Sequence, residues 1–170
     1  MNPFDLVFNA LWTLAEQSDA LTSLVKTGNR IKFNTSNRDP IKPVVADADV
    51  PELILSSEGS STLNLHSSSC GSMIVKRYTW LLSTGDMRIN HHLNPVTWAL
   101  LCAMADWQSV LGPLQWEDEL FCKRFNLIDT SEGQSDPERN RGLRGWSALW
   151  RCEVEMHFTT SKLIAFNAGS

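Results

Sequence analysis

Charge is scarce in this chain: Asp, Glu, Lys and Arg make up 20% of 170 residues and leave a formal net charge of −4. Without a basic excess there is no stripe to neutralise phosphates, which argues against a dedicated nucleic-acid binder. No apolar run approaches the roughly 20 residues that a membrane-spanning helix needs. The N-terminus lacks a basic segment, and Asp5 and Asn9 interrupt its apolar residues, so no secretory signal is read there. The expectation is a protein that is soluble and intracellular when made. Cys70, Cys102, Cys122 and Cys152 form no CxxC pair. They read as free thiols in a reducing compartment, without disulfides.

Catalytic signatures are missing too. Neither GxGxxG nor GxxxxGK followed by Ser or Thr occurs, so no glycine-rich loop is available to cradle a phosphate. Ser67-Ser68-Ser69-Cys70-Gly71 offers nucleophiles but no GxSxG elbow, and nothing marks a base or an oxyanion hole. His91-His92, His66 and His157 show neither HxxxH nor HExxH spacing, and adjacent histidines point apart. Asp47, Asp49 and Glu52 lack the glycine and distal glutamate of a calcium loop and read as a solvated loop. No catalytic, cofactor-binding or metal residue is assigned, and no cofactor is expected.

What is present is a core. Seven Trp and seven Phe accompany 42% hydrophobic residues, enough for a domain of this length to fold without metal or disulfide. From Trp146 to Phe158 the even positions read Trp, Ala, Trp, Cys, Val, Met, Phe, and the odd ones Ser, Leu, Arg, Glu, Glu, His. Period-two alternation predicts one long strand with a dry face and a mostly wet one. Its dry face needs cover, and the expectation is that Trp146, Trp150, Val154 and Phe158 pack against Leu100, Ala103, Trp107 or the first helix.

Asn2-Pro3 is a helix start, cap then first-turn proline, followed by the stripe Phe4, Val7, Phe8, Leu11, Leu14, Ala15. Ser18-Asp19 predicts a second short helix through Leu21, Leu24 and Val25, ended by Gly28 as a left-handed cap. Arg30 to Phe33, Val44 to Ala46 and Glu52 to Leu55 read as short strands, and Ser56 to Ser72 as a turn flanked by weak strands. Met73 to Ser83, with Val75, Tyr78, Thr79 and Trp80, predicts a strong strand. Asn94-Pro95 and Gly112-Pro113 bracket a helix carrying Val96, Ala99, Leu100, Ala103, Trp107, Val110 and Leu111. Glu119 to Ile128 predicts another strand, in which Leu120, Cys122 and Arg124 alternate less cleanly, and Asn167 to Ser170 a tail. Strands that cluster rather than alternate with helices imply α+β: a mainly antiparallel mixed sheet with helices packed on one face. The chain reads as one domain, 1–170, with polar loops near 34–43, 56–72 and 131–144.

Two features point to partners. The loop Asp129 to Arg144 is longer than a hairpin needs. It holds Arg139, Arg141 and Arg144 against Asp136 and Glu138, with Arg151 close by, and the loop Asn34 to Pro43 holds Arg38 and Asp39. These seven loop charges are the candidate protein-interface residues. Trp12, Trp98 and Trp116 fall off the main apolar stripes, and exposed tryptophan favours an interface.

The order of elements resembles the tail-terminator, or tail-completion, proteins of long-tailed bacteriophages, including the lambda-type minor tail protein and its head-to-tail joining relatives. The resemblance lies in an opening amphipathic helix, Phe4 to Val25, and in a mid-chain strand, Val75 to Ser83, running through Thr84-Gly85-Asp86 toward the helix Pro95 to Leu111. It continues in Asn126-Leu127-Ile128-Asp129 followed by a polar excursion, and in a return through Arg144-Gly145-Trp146. It implies an α+β protomer in a ring, typically a homohexamer, at the head-proximal end of a virion tail, assembled in the host cytoplasm. Implied partners are further copies of itself, the tail-tube protein and a neck or head-completion protein, with DNA only passing through the lumen and no membrane. A ring that matches a tube on one face ends its growth. The alternatives are another neck, connector or tube-like subunit, and a small cytoplasmic enzyme whose site is assembled from distant residues.

Overall fold

The computed structural model describes residues 1–33, 51–64, 71–84, 93–134 and 146–168. Helix α1 (Pro3–Glu16) starts as its sequence directs, with Asn2 Oδ1 accepting from the Asp5 amide at 2.9 Å. Helix α2 (Asp19–Leu24) is capped by the Ser18 hydroxyl. It ends at Val25, and Gly28 lies inside a single 3-10 turn, Thr27–Asn29, rather than serving as a left-handed cap. Five strands then form one sheet in the order β1-β2-β3-β7-β6: β1 (Arg30–Phe33), β2 (Glu52–Asn64), β3 (Ser72–Ser83), β6 (Cys122–Gln134) and β7 (Trp146–Phe158). Only β1 and β2 run parallel. The fold is α+β with a mostly antiparallel sheet.

Period-two alternation is observed along β7. Ala148, Cys152, Val154, Met156 and Phe158 are buried, Trp146 and Trp150 half-buried, and the odd positions partly exposed. The helices cover that face. The Tyr78 hydroxyl donates to the Phe4 carbonyl at 2.9 Å, Trp12 stacks on Trp80, and helix α3 (Leu93–Ala105) packs on β3 and β7. The helix expected from Pro95 to Leu111 begins at Leu93 and is interrupted at Asp106, after which α4 (Trp107–Val110) completes it. Pro95 still sits in the first turn, where backbone amides have no partner within the helix to lose. Gly112 follows because a Cβ there would lie 2.5 Å from the Gln108 carbonyl oxygen.

The serine-rich stretch after Leu55 is strand as far as Asn64, pairing with β3 to Asn64↔Met73 with an irregularity between Ser57 and Ser61; the turn expected between these flanking strands falls outside the described residues. Cross-strand pairing overrides the weak propensity of serine and glycine. The last two strands also differ from expectation. A two-stranded hairpin, β4 (Gln115–Trp116) and β5 (Glu119–Leu120), precedes β6, and β6 continues through Gln134. Strand β6 thus takes in Asp129 to Gln134 of the stretch expected as a polar loop, and residues 135–145 lie outside the described residues. A bulge between Cys122 and Arg124 shifts the inward face from even to odd positions. Phe125 and Leu127 pack on the core while Leu120 and Arg124 are exposed. Helix α5 (Thr160–Ala168) follows β7 and takes in Asn167 and Ala168 of the expected tail, with Phe166 against Trp116.

Candidate interaction surface

The expected interface charges Arg38, Asp39, Asp136, Glu138, Arg139, Arg141 and Arg144 lie outside the described residues, as do Cys70, His66, His91, His92, Asp47, Asp49 and the strand expected at Val44 to Ala46. Their points of attachment are described. The stretch that holds Arg38 and Asp39 follows Phe33 of β1, an edge strand of the sheet. The stretch that holds the other five follows Gln134 of β6, the opposite edge strand, where Gln134 pairs with Trp146. Arg151, the remaining arginine of that cluster, faces away from the helices and binds Glu58 through Nε at 3.0 Å.

Of the three tryptophans set apart by sequence, only Trp98 is exposed, at 68% of its surface. Trp12 is half-buried with its ring 6.2 Å from that of Trp80, and Trp116 is buried, edge-on to Phe158 at 5.2 Å. Both serve the core. Besides Trp98 on α3, the large apolar side chains exposed among the described residues are Met1, Leu24 on α2, Leu63 on β2, Leu120 on β5, Ile128 on β6, and Ile164 and Phe166 on α5. The α5 residues had a legible signal, an uncharged Leu163-Ile164-Ala165-Phe166 run after a threonine pair.

Sheet edges carry the charges that sequence reasoning missed. Following the ladders across all five strands, one transverse row reads Arg30, Leu53, Leu82, Ala148, Glu132. Two residues along β1, β2, β3 and β7, and three along β6 because of an irregularity between Asp129 and Ser131, the next reads Lys32, Leu55, Trp80, Trp150, Asp129. Directly paired residues share a face, so both rows lie on the helix-facing side. Each begins with a cation on β1 and ends with a carboxylate on β6. Arg30 donates through Nη2 to Thr27 Oγ1 at 2.9 Å, while its buried Nε has no partner. Lys32 donates to Asn9 Oδ1 and lies 5.6 Å from the Phe8 ring centre. Asp129 and Glu132 are exposed and form no ion pair among the described residues. Strand order is not written in a sequence, so nothing there brings these four together.

One cavity contains a lysine. Asn2, Phe4, Asp5, Phe8, Ser57, Lys76 and Tyr78 line about 160 Å³ between α1 and the sheet. The Lys76 ammonium donates to the Glu58 carbonyl and lies over the Phe4 ring, 5.5 Å from its centre. Burial lowers its pKa, and the nearby Glu58 carboxylate opposes the shift. The amine is tied down by backbone and ring, a structural arrangement in which the lysine stem packs and its head is satisfied. His157 pairs with Glu155 at 2.6 Å, and no metal-binding group of His, Cys, Asp or Glu occurs among the described residues. Among the same residues no helix is long and apolar enough to cross a membrane.

No protein-family model matches the chain, and no curated protein matches it. Among solved structures, a chain from the virion of a native gene transfer agent (GTA) particle is similar to it with a TM-score of 0.39 and 16% identity, covering 88% of this chain and 94% of that one.

Proposed function

We propose that this protein is a structural component of a phage-like virion. It acts as a tail terminator that assembles into a ring, typically a hexamer, at the head-proximal end of the tail. One face of the ring matches the tail tube and ends its growth, and the other receives a neck or head-completion protein. DNA passes through the lumen without being read. The observation that carries this reading is where the contact-forming features sit. Exposed large apolar side chains stand on separate elements of the fold, Trp98 on α3, Leu120 on β5, and Ile164 and Phe166 on α5. Such a distribution suits a subunit touched on several sides at once. The loop charges Arg139, Arg141 and Arg144 against Asp136 and Glu138 suit register-setting contacts, since rim charges govern specificity and encounter rate more than affinity.

The test is genetic and structural. Deleting the gene in its phage or phage-like element should yield tails of uncontrolled length that fail to join heads, seen by electron microscopy. Tails of normal length joined normally to heads would overturn the terminator reading. Normal tail length with a failure of joining would reassign the protein to the neck.

A further inference from the structure

We infer that successive copies join edge to edge, the β1 edge of one protomer pairing antiparallel with the β6 edge of the next, so that one sheet continues around the assembly. This rests on the ring reading above and specifies its subunit contact. Three observations converge on it. First, among the described residues β1 pairs only with β2, and β6 only with β7, leaving ladder groups on the outer side of each edge. Such edges are templates for another strand. Second, the strand directions are compatible. β1 runs parallel to β2, and each of the next three pairings is antiparallel, so β1 and β6 point in opposite directions. A copy added in the same orientation therefore presents β1 antiparallel to β6.

Third, the charges are in register. Arg30 and Glu132 end one transverse row, and Lys32 and Asp129 end the next, all on the same face. Extending each row across the junction sets Arg30 of one copy opposite Glu132 of its neighbour, and Lys32 opposite Asp129. Cross-strand pairs of opposite charge are favourable, and two of them oppose a one-residue slip, which would turn the side chains to the other face. Because the two edges differ, the contact is head-to-tail, the kind that closes into a ring when the rotation per copy allows.

Within one molecule Lys32 and Asp129 sit on strands four spacings apart, about 19 Å at the usual inter-strand distance. A zero-length carbodiimide bond between them can therefore form only between copies. Cross-linking the full-length wild-type protein should give a Lys32–Asp129 or Lys32–Glu132 linked peptide in a dimer or larger band. Light scattering on D129K/E132K and on R30E/K32E should show loss of assembly in each. The combined four-residue variant should recover it, with circular dichroism confirming that all three fold. A wild-type oligomer that keeps its mass in both edge variants and yields no such peptide would overturn the edge contact while leaving the ring reading standing. A wild-type protein monomeric at every concentration would overturn the edge contact as well, and the tail phenotype of the gene deletion then judges the terminator reading independently. If the variants fail to fold, the wild-type cross-link alone decides.

Discussion

Trp12 and Trp80 lie with their rings 6.2 Å apart and 14° from parallel, so the first helix is fastened to the middle strand of the sheet by stacked indoles. Trp80 is completely buried in the row that also contains Trp150, whose outer end meets the sheet edge. Trp80→Ala should cost about 3–5 kcal/mol, the range for deleting a large buried aromatic. Trp150→Ala, removing a half-buried ring, should cost clearly less. Urea unfolding of both variants checks the order, and equal losses would show that the edge tryptophan is as fully packed as the central one.

Gly71 precedes β3 with φ +72°, and a Cβ there would lie 2.9 Å from the Phe158 carbonyl oxygen. Gly71→Ala meets both the left-handed penalty of about 1–2 kcal/mol and a clash with backbone that cannot swing aside. A loss of at least about 1 kcal/mol is expected. Gly28→Ala is the control: nothing lies within 4 Å of its Cβ position. It should be neutral or stabilising by up to about 1 kcal/mol, through restriction of the unfolded chain.

The β4–β5 hairpin turns on Glu117 and Asp118, with φ 52° and 63°. Two positive φ values are what a type I′ turn requires, and Asn-Gly is the pair that adopts it most readily. Replacing Glu117-Asp118 with Asn-Gly should raise stability by about 1 kcal/mol or more by relieving left-handed strain. A fall in melting temperature would mean that the Lys162 contact to the Glu117 carbonyl, which holds α5, depends on the native turn.

Burial pushes the Cys122 thiol from 9.0 up to about 12, and burial also raises Cys152 and Tyr78. Each raised pKa favours the folded state while the group is protonated in both states. That advantage is present in full below about pH 9 and is lost as the pH climbs toward 12, because the unfolded chain ionises first. Stability measured by urea titration should therefore be flat through neutrality and fall across the alkaline range. In the folded protein at neutral pH, a thiol reagent should modify exposed Cys102 well before Cys122 or Cys152.

Replacing residues 135–145 with a two-residue turn should preserve the sheet, since Gln134 already faces Trp146 across the ladder. Under the proposed function the shortened protein should join tails to heads poorly, counted as infectious particles. A normal yield would show that this loop makes no essential contact.

Local signals in this sequence were legible where they were self-contained. Asn2-Pro3 and Ser18 act through hydrogen bonds reaching three residues, and the β7 alternation needs no knowledge of its neighbours. What could not be read depends on pairing. The bulge after Cys122 reverses which side chains point inward, so simple alternation from Cys122 does not carry through Arg124 to the rest of β6. Ser61–Asn64 become strand only because β3 lies alongside. Trp116 falls off every helical stripe yet is buried, because a hairpin and α5 meet over it. The edge charges required the order of five strands before Arg30 and Glu132 could share a row. The loop arginines picked out by composition lie beyond the described residues.

The pairing of β3 with β7 joins Ser72 to Phe158 at one end and Ser83 to Ser147 at the other, and it lies between the two halves of the sheet. Contacts this distant along the chain slow folding, because loop entropy is spent before packing returns it. During synthesis β3 emerges long before β7, and its apolar inner side waits as an open edge until the last strand leaves the ribosome. The protein thus completes its own fold by the operation inferred for its assembly, the late docking of a strand on an exposed edge. A nascent chain stalled before Trp146 is the form in which this protein is most open to pairing with the wrong partner.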